Sequence, residues 1–443
     1  MQRCDFFDIG GGLLSKTIKR TFKKGVHFDD KKELTRNLPI EEMPLMDDYY
    51  VGLSQHIGIP AIALVQAGEH VDEGQLIAKA GGFVSANVFA PVSGKVIGIE
   101  KRKNNFGIQS DYIHIKRSEG NVLTLPPIDQ NNPKEIKQRI LDAGIVGLGG
   151  AGFPTHVKIS PQKPVDTLIV NAAECESYLN CDNRLMLEYT REVVEGAKLI
   201  AKSVEGINKI VIGIEENKPR AYELLKQQTD VEIVLLKKKY PQGGEKQLIF
   251  ACTKRKVPTK GLPMDVGVVV QNVATCFAVY QAVVLNKPLY SRVMTVSGLG
   301  INNPKNLLVR NGTLHKDILS FCGGIKRNTQ KLIAGGPMMG IALSDDNGVT
   351  SKTDSGLLAL LSEEANIMQP SACINCARCA KVCPMNLMPM YIDFYTLAGD
   401  YKTAVKYGAE HCIECGCCAY SCPAKRTIVQ SVKLCKAKLK EKK

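Results

Sequence analysis

Between residues 165 and 240 the apolar and polar positions fall into alternating blocks of two periods. "VDTLIV" (165–170), "KIVIGIEEN" (209–217) and "VEIVLLKKKY" (231–240) are short runs rich in β-branched residues, and each predicts a strand. "VVEGAKLIAKSV" (193–204) and "PRAYELLKQQ" (219–228) space their apolar residues three and four apart and predict helices between those strands. This alternation signals a layered βαβ-type domain. Upstream, "PKEIKQRILDAG" (133–144) predicts an amphipathic helix, and residues 65–100 alternate apolar positions with turns at Gly68, Gly74 and Gly94. Near the other end Leu387, Tyr391, Phe394 and Leu397 recur at helical spacing, Gly399 breaks the pattern, and a second helix is expected around Lys402 to Tyr407. The polar stretch "SDDNGVTSKTDSG" (344–356) predicts a linker.

A chain of 443 residues exceeds one core and suggests about three domains. Hydrophobic content of 44% with 6% aromatic residues and no tryptophan fits globular modules. No run of about 18 apolar residues occurs, so no spanning helix is expected. The opening "MQRCDFFDIGGGLLSKTIKR" has a short apolar patch without a signal-peptide core. The expectation is a cytosolic chain resting on a membrane-bound partner. Without a secretion signal, sixteen cysteines point to metal rather than to disulfides.

"CINCARCAKVCP" (373–384) and "CIECGCCAYSCP" (412–423) both read C-x2-C-x2-C-x3-C-P. That order is the bacterial two-cluster ferredoxin run, in which three close cysteines wrap one cubane and the fourth reaches the other. Cys373, Cys376, Cys379 and Cys422 are therefore assigned to one [4Fe–4S] cluster, and Cys412, Cys415, Cys418 and Cys383 to a second. Cys417 breaks the spacing and is left out. Structural zinc is the disfavoured alternative. The helices expected between the runs suggest an α-helical ferredoxin domain. Two oxidised clusters lower the formal charge of +14 to about +10. Much of the remainder lies in "KLCKAKLKEKK" (433–443), read as a solvated tail, or as a contact for an acidic partner or anionic membrane surface. No aromatic residues interleave with its lysines, so nucleic-acid binding is not expected.

A pair of clusters moves single electrons and needs a source. "GIVGLGGAGFPTHVK" (144–158) satisfies G-x-G-x-x-G, but it follows a helix rather than the strand of a dinucleotide fingerprint. Its glycines allow close backbone approach to a phosphate, and Lys158 can neutralise charge. Asn171 to Glu176 end a strand, where open α/β sheets bind ligands.

The motif G-x-G-G-A-G-F-P-x-x-x-K followed by N-A-x-E-x-E resembles the NADH-oxidising flavoprotein subunit of respiratory complex I. "YPQGGEKQL" (240–248) and "GLPMDVGVVVQNVATCFAVYQAV" (261–283) resemble its Y-x-x-G-x-E and N-V-x-T blocks. The resemblance implies FMN on Gly147, Gly149, Gly150 and Gly152 with Lys158 near its phosphate. It implies Asn171, Gly243, Glu245 and Asn272 lining the site, Glu174 and Glu176 facing NAD(H), and Phe153 stacking on the nucleotide. Leu148 stands where the family has an arginine, and the second family glutamate is shifted, leaving Gly244-Glu245. No protein residue is expected to act as acid or base, because hydride transfer is borne by the cofactors.

The two-cluster tail and the entry segment 24–44 resemble instead the C subunit of the Rnf (Rsx) electron-transport complex, over nearly the whole chain. That family implies an ion-translocating ferredoxin:NAD+ oxidoreductase. The chain would be its peripheral subunit on the cytoplasmic side of the cell membrane, with an iron–sulfur subunit and membrane-embedded subunits as partners. A soluble cobalamin-reductase flavoprotein and a non-catalytic relay with a vestigial flavin fold are the alternatives. Residues 65–100 look like a biotinyl/lipoyl barrel sandwich, but "SANVFA" lacks the carrier lysine; residues 293–343 resemble an SLBB-type β-grasp module. The expected multidomain α/β organisation is an N-terminal segment (1–45), a barrel-sandwich module (46–125), a Rossmann-like FMN/NADH domain (126–290), the β-grasp module (291–343), a linker (344–368), an α-helical ferredoxin domain with two [4Fe–4S] clusters (369–430) and a basic tail (431–443). Cys252, Cys276 and Cys322 are expected to be buried thiols, while Cys175 sits inside the flavin block.

Overall fold

The computed structural model describes residues 18–365 and 368–441. The apolar patch of residues 1–17, two residues of the expected linker (366–367) and two of the expected tail (442–443) lie outside the described residues.

The three strands expected from the sequence are joined by a fourth, Val268–Asn272, in a parallel sheet ordered Glu232–Leu236, Lys209–Glu215, Thr167–Ala172, Val268–Asn272. Both faces are covered. Leu168 and Val170 enter one core with helices Pro133–Asp142, Thr190–Ser203 and Val273–Val284. Ile169 enters the opposite core with Leu248 and Ile249 of helix Glu245–Thr253. Burial on two faces explains why these strands read as continuous apolar runs. Register sets Asn171 beside Asn272 at the carboxyl ends of an inner strand and the neighbouring edge strand, where polar side chains can converge on a ligand.

The barrel-sandwich module packs a four-stranded and a three-stranded antiparallel sheet around Tyr49, Val51, Ile77, Val88, Ile113 and Ile115. It does more than stand beside the α/β domain. Ile57 N–H donates to the Gly152 carbonyl (3.2 Å), and His156 Nε2 donates to the Phe83 carbonyl (2.9 Å). The module therefore braces the glycine-rich loop through Ile57 and Phe83.

The β-grasp module is larger than the sequence suggested. Its six-stranded sheet runs Ile40–Glu42, Lys305–Arg310, Ser291–Ser297, Gly356–Leu361, Thr329–Ala334, Ile341–Leu343. One edge strand comes from the N-terminal segment. The expected linker 344–368 is thus corrected: Gly356–Leu361 lies inside the sheet, parallel to Ser291–Ser297 and antiparallel to Thr329–Ala334. Its run "GLLALL" has the unbroken apolar character of a strand buried on both faces, and the polar residues before it hid that signal.

The basic tail is also corrected. Residues Ile428–Lys440 form a helix whose Val432 and Cys435 pack against Ile392 of helix Pro389–Leu397. Val432, Cys435 and Leu439 recur at helical spacing, and this stripe outweighs the lysine-rich composition of the other face. Helices Pro389–Leu397 and Tyr401–Lys406 lie where the spacing predicted them. The buried side of the first carries Ile392, Asp393 and Thr396, whereas Tyr391, Phe394 and Leu397 are exposed.

These placements separate two leucines of equal composition. Leu358→Ala, at a fully buried site, is expected to destabilise by about 2–5 kcal/mol. Leu397→Ala, at a site 61% exposed, should stay within about 0.5 kcal/mol. Guanidinium unfolding midpoints of the two variants against the unmodified chain check both values.

Candidate electron-transfer site

The two cysteine runs build two cavities. Cys373, Cys376, Cys379 and Cys422 line one, and Cys383, Cys412, Cys415 and Cys418 line the other. The last cysteine of each run lines the cavity of the other run's first three. The loops are built alike. Asn375 and Ala377 in the first, and Glu414 and Gly416 in the second, hold left-handed backbone conformations at matching positions. These turns bend the chain around each cavity. A one-turn helix then carries the third cysteine, Cys379 on Arg378–Val382 and Cys418 on Cys417–Tyr420. Backbone N–H groups aim at sulfur: Glu414 N–H donates to Cys412 Sγ (3.3 Å) and Leu387 N–H to Cys383 Sγ (3.4 Å). The cavities differ in exposure. Cys373 and Cys376 are exposed, whereas Cys383, Cys415 and Cys418 are buried.

At the carboxyl end of the parallel sheet, the glycine-rich loop is closed by Gly147 N–H donating to the Phe153 carbonyl (2.9 Å) and anchored by Leu148 N–H donating to Thr275 Oγ1 (3.0 Å). Gly149 lies on the Asn272 side chain, where an added Cβ would sit 2.6 Å from Asn272 Nδ2. Gly150 faces open space, so the loop leaves a bare backbone cradle. Gly152 (φ +68°) needs glycine twice over, since a Cβ would also meet Thr353. Leu148 is buried in the core, so this position does not face the cleft.

The amides around the cradle are held in fixed orientation. Asn171 Nδ2 donates to the Gly243 carbonyl (2.8 Å). Asn272 Oδ1 accepts from Ala274 N–H (2.8 Å), capping a helix, while its Nδ2 donates to Asp182 (2.7 Å). Lys158 Nζ donates to Glu245 (2.8 Å) and to the Val270 carbonyl (3.1 Å). Phe153 is half-buried beside the loop.

Two sequence expectations change here. Glu174 and Glu176 were expected to face a nucleotide, yet both carboxylates are taken up internally. Glu174 accepts from the N–H groups of Asp182 (2.7 Å) and Asn183 (3.3 Å) and pairs with buried Lys32 (3.6 Å). Glu176 accepts from Met338 N–H (3.0 Å) and Met339 N–H (2.9 Å), and burial pushes its carboxyl up to about 7. Buried backbone N–H groups need an acceptor and these carboxylates supply one, although burial disfavours the charged form of Glu176. Asp182 was not singled out from the sequence, because "CDNRLMLE" reads as an ordinary helix and its link to Asn272 spans 90 positions. Thr275 stands in the N-V-x-T block and could have been read from it.

The sheet end and the buried cysteine quartet meet. Tyr240, Val26, Cys415 and Cys417 form one apolar cluster with Cys175 and Met338 packed against it. Cys175 Sγ accepts from Gly243 N–H (3.3 Å), so this side chain touches the glycine cradle side and the cysteine side together. Burial pushes the Cys175 thiol well above its ordinary range, so it is held protonated. The exposed quartet lies outside this cluster.

Burial, with the Glu174 charge adding to it, raises the Asp182 carboxyl from 3.8 to about 7. Between those values the unfolded chain is ionised there while the folded one keeps its proton, so rising pH favours unfolding. The contribution of Asp182 is full below about pH 4 and is lost as pH passes about 7. Asp182→Asn, which can still accept from Asn272, should therefore show a smaller fall in guanidinium midpoint between pH 5.5 and 8 than the unmodified chain does.

Comparison with known proteins agrees with this layout. Residues 20–120 match the RnfC barrel sandwich hybrid domain, 140–281 the Nuo51 FMN-binding domain, 293–342 the SLBB domain and 365–423 the 4Fe-4S dicluster domain. The chain is 45% identical to the C subunit of the proton-translocating ferredoxin:NAD(+) oxidoreductase complex of Clostridium ljungdahlii, covering 94% of this chain and 94% of that relative. The C subunit of the Na(+)-translocating complex of Acetobacterium woodii is 40% identical over 95% of this chain and 97% of its own length. The C subunit of the ion-translocating oxidoreductase complex of Rhodobacter capsulatus is 39% identical over 95% and 84%. Four modules in matching order and near-complete coverage make this chain a member of the RnfC family, the C subunits of ion-translocating ferredoxin:NAD(+) oxidoreductase complexes.

Proposed function

We propose that this chain exchanges a hydride between NAD(H) and FMN and single electrons with two [4Fe–4S] clusters, as the peripheral subunit on the cytoplasmic side of a membrane-bound ion-translocating complex. Bound FMN supplies the conversion between a two-electron hydride and single electrons, and the clusters carry electrons one at a time. Everything else is a matter of what the chain holds in place.

The bare backbone of Gly147, Gly149, Gly150 and Gly152 suits the phosphate end of FMN, with Lys158 supplying charge, because a loop without side chains lets an anion approach the main chain closely. Asn171, Gly243 and Asn272 line the same cleft, and their amides are already locked by the bonds that orient them. Phe153 and Glu245 are left at the rim for the nicotinamide nucleotide. Glu174 and Glu176 serve as positioning residues for the walls. Cys383, Cys412, Cys415 and Cys418 would hold the cluster proximal to the flavin, and Cys373, Cys376, Cys379 and Cys422 the outer one. Exposed Cys373 and Cys376 suit electron exchange with an iron–sulfur partner.

The observation that carries this reading is the packing of the buried quartet against Tyr240 and Cys175, beside the glycine cradle. It brings both cofactor sites into one body. Among the described residues no helix is long and apolar enough to cross a membrane, so attachment falls to membrane-embedded partner subunits. An intact cradle argues against a vestigial flavin fold.

Anaerobic purification with a cofactor count is the test. One FMN and about eight irons per chain, with flavin and cluster absorbance bleached by NADH, are expected. Gly149→Val, which drives a side chain into Asn272, should lose most of the FMN and keep the iron. Cys379→Ala should lose about half the iron and keep the FMN. A full iron complement without flavin and without a response to NADH would reduce the chain to an iron–sulfur relay.

A further inference from the structure

Helix Pro389–Leu397 turns an apolar stripe outward. Met390, Phe394 and Leu397 recur at i, i+4 and i+7 and share one face. Phe394 is 63% exposed and Leu397 61%. Tyr391 turns instead to Tyr407, with ring centroids 4.8 Å apart. The stripe begins at a cofactor site. Met390 lines the cavity of the outer quartet, its Sδ 3.8 Å from Cys379 Sγ. Ile374, 65% exposed between Cys373 and Cys376, lines the same cavity. A body seated on this stripe therefore lies against the two exposed cysteines.

The charge around the stripe is predominantly positive. Residues 368–409 carry four cations, Arg378, Lys381, Lys402 and Lys406, against two carboxylates. One of these, Asp393, is buried and accepts from Ser431 Oγ (2.6 Å) and from Arg426. The other, Asp400, accepts from Thr403 N–H (2.9 Å) and caps the next helix. Arg378 and Lys381 stand exposed on the short helix that carries Cys379. An exposed apolar patch marks a contact surface, and a cationic rim selects an acidic partner and steers its approach. An anionic bilayer would also suit such a rim. It would, however, seal the outer quartet against lipid and leave electrons no exit.

We propose that Ile374, Met390, Phe394 and Leu397 form the docking surface for an acidic, ferredoxin-type iron–sulfur protein, which exchanges electrons with the outer cluster while seated on this stripe. The electrons balance: two reduced partners each lose one, and the pair leaves with one proton as the hydride that converts NAD+ to NADH. The inference rests on the two-cluster reading above and adds the contact surface, which cysteine spacing leaves undefined.

The test uses the full chain, purified anaerobically with its cofactors, and follows NADH formation from NAD+ with two electron donors. One is a reduced, acidic two-[4Fe–4S] ferredoxin; the other is reduced methyl viologen, too small to need a docking surface. NADH formation with methyl viologen in the unmodified chain establishes the relay independently, and its absence would overturn that reading and this surface together. Phe394→Glu, at an exposed site, should keep the FMN, about eight irons and the methyl viologen rate. Its rate at limiting ferredoxin should fall about tenfold or more. The double variant Arg378→Glu, Lys381→Glu should lower the same rate and flatten its dependence on salt. Ferredoxin rates unchanged in both variants would overturn the proposal. So would an unmodified chain that accepts electrons from methyl viologen but not from the ferredoxin. Loss of binding to phosphatidylglycerol vesicles in Phe394→Glu, at an unchanged ferredoxin rate, would overturn it by assigning the stripe to a bilayer.

Discussion

The main chain of Tyr240 exchanges two hydrogen bonds with Val26, N–H to carbonyl in both directions at 2.9 Å, and the rest of the site is arranged around that pairing. It stitches the N-terminal segment to the end of the parallel sheet. Gly25 N–H then continues the stitch to the Val382 carbonyl (2.9 Å), between the two cysteine cavities. The Tyr240 ring, 2% exposed, lies 5.4 Å from Phe28 and fills the space between Cys175 and Cys415. Hydrogen bonds between paired backbone groups offset the desolvation of burying them, so an apolar seam can close between the glycine cradle and the buried quartet. Without that seam the two electron-carrying sites would be modules on a string.

Behind the seam lies an unusual concentration of buried charge. Lys218 donates to the Ala173 carbonyl (2.5 Å) and pairs with Glu215 (3.6 Å), whose carboxyl burial pushes up to about 7 against the pull of Lys218. Lys32 joins Glu174 to the Leu179 carbonyl. Such pairs add little net stability, but losing one partner leaves an uncompensated buried ion, at about 3–5 kcal/mol. Their effect is therefore to forbid alternatives. The segment 173–176 is pinned from below by lysines that tolerate no other position for it.

The flanking modules act in the same way on the glycine-rich loop. Lys352, fully buried, donates to the carbonyls of Asn87 (2.6 Å) and Gly144 (2.8 Å), joining the barrel sandwich, the β-grasp module and the start of the loop at one ammonium. Burial lowers it to about 7. With Ile57 on Gly152 and Phe83 on His156, a fold that elsewhere presents a carrier lysine here supplies a rigid backing.

Local chemistry was legible in the linear chain. Cysteine spacing carries the crossed quartets, because in a two-cluster ferredoxin run three close cysteines share one tight loop and the fourth is supplied by the other run. Glycine spacing carries the cradle, because only bare backbone admits so close an approach, and the period of the apolar runs carries the parallel sheet. What the chain order could not convey was competition between distant groups. Glu174 and Glu176 look like free carboxylates until the backbone N–H groups at 182, 183, 338 and 339 arrive to claim them. Gly356–Leu361 looks like the end of a linker until two strands accept it between them. The lysine-rich end looks like a solvated tail until helix Pro389–Leu397 offers its apolar stripe a partner. Sequence determines which groups can make an interaction at short range, whereas burial, and with it which of several possible partners wins, is settled only when the whole chain has closed around them.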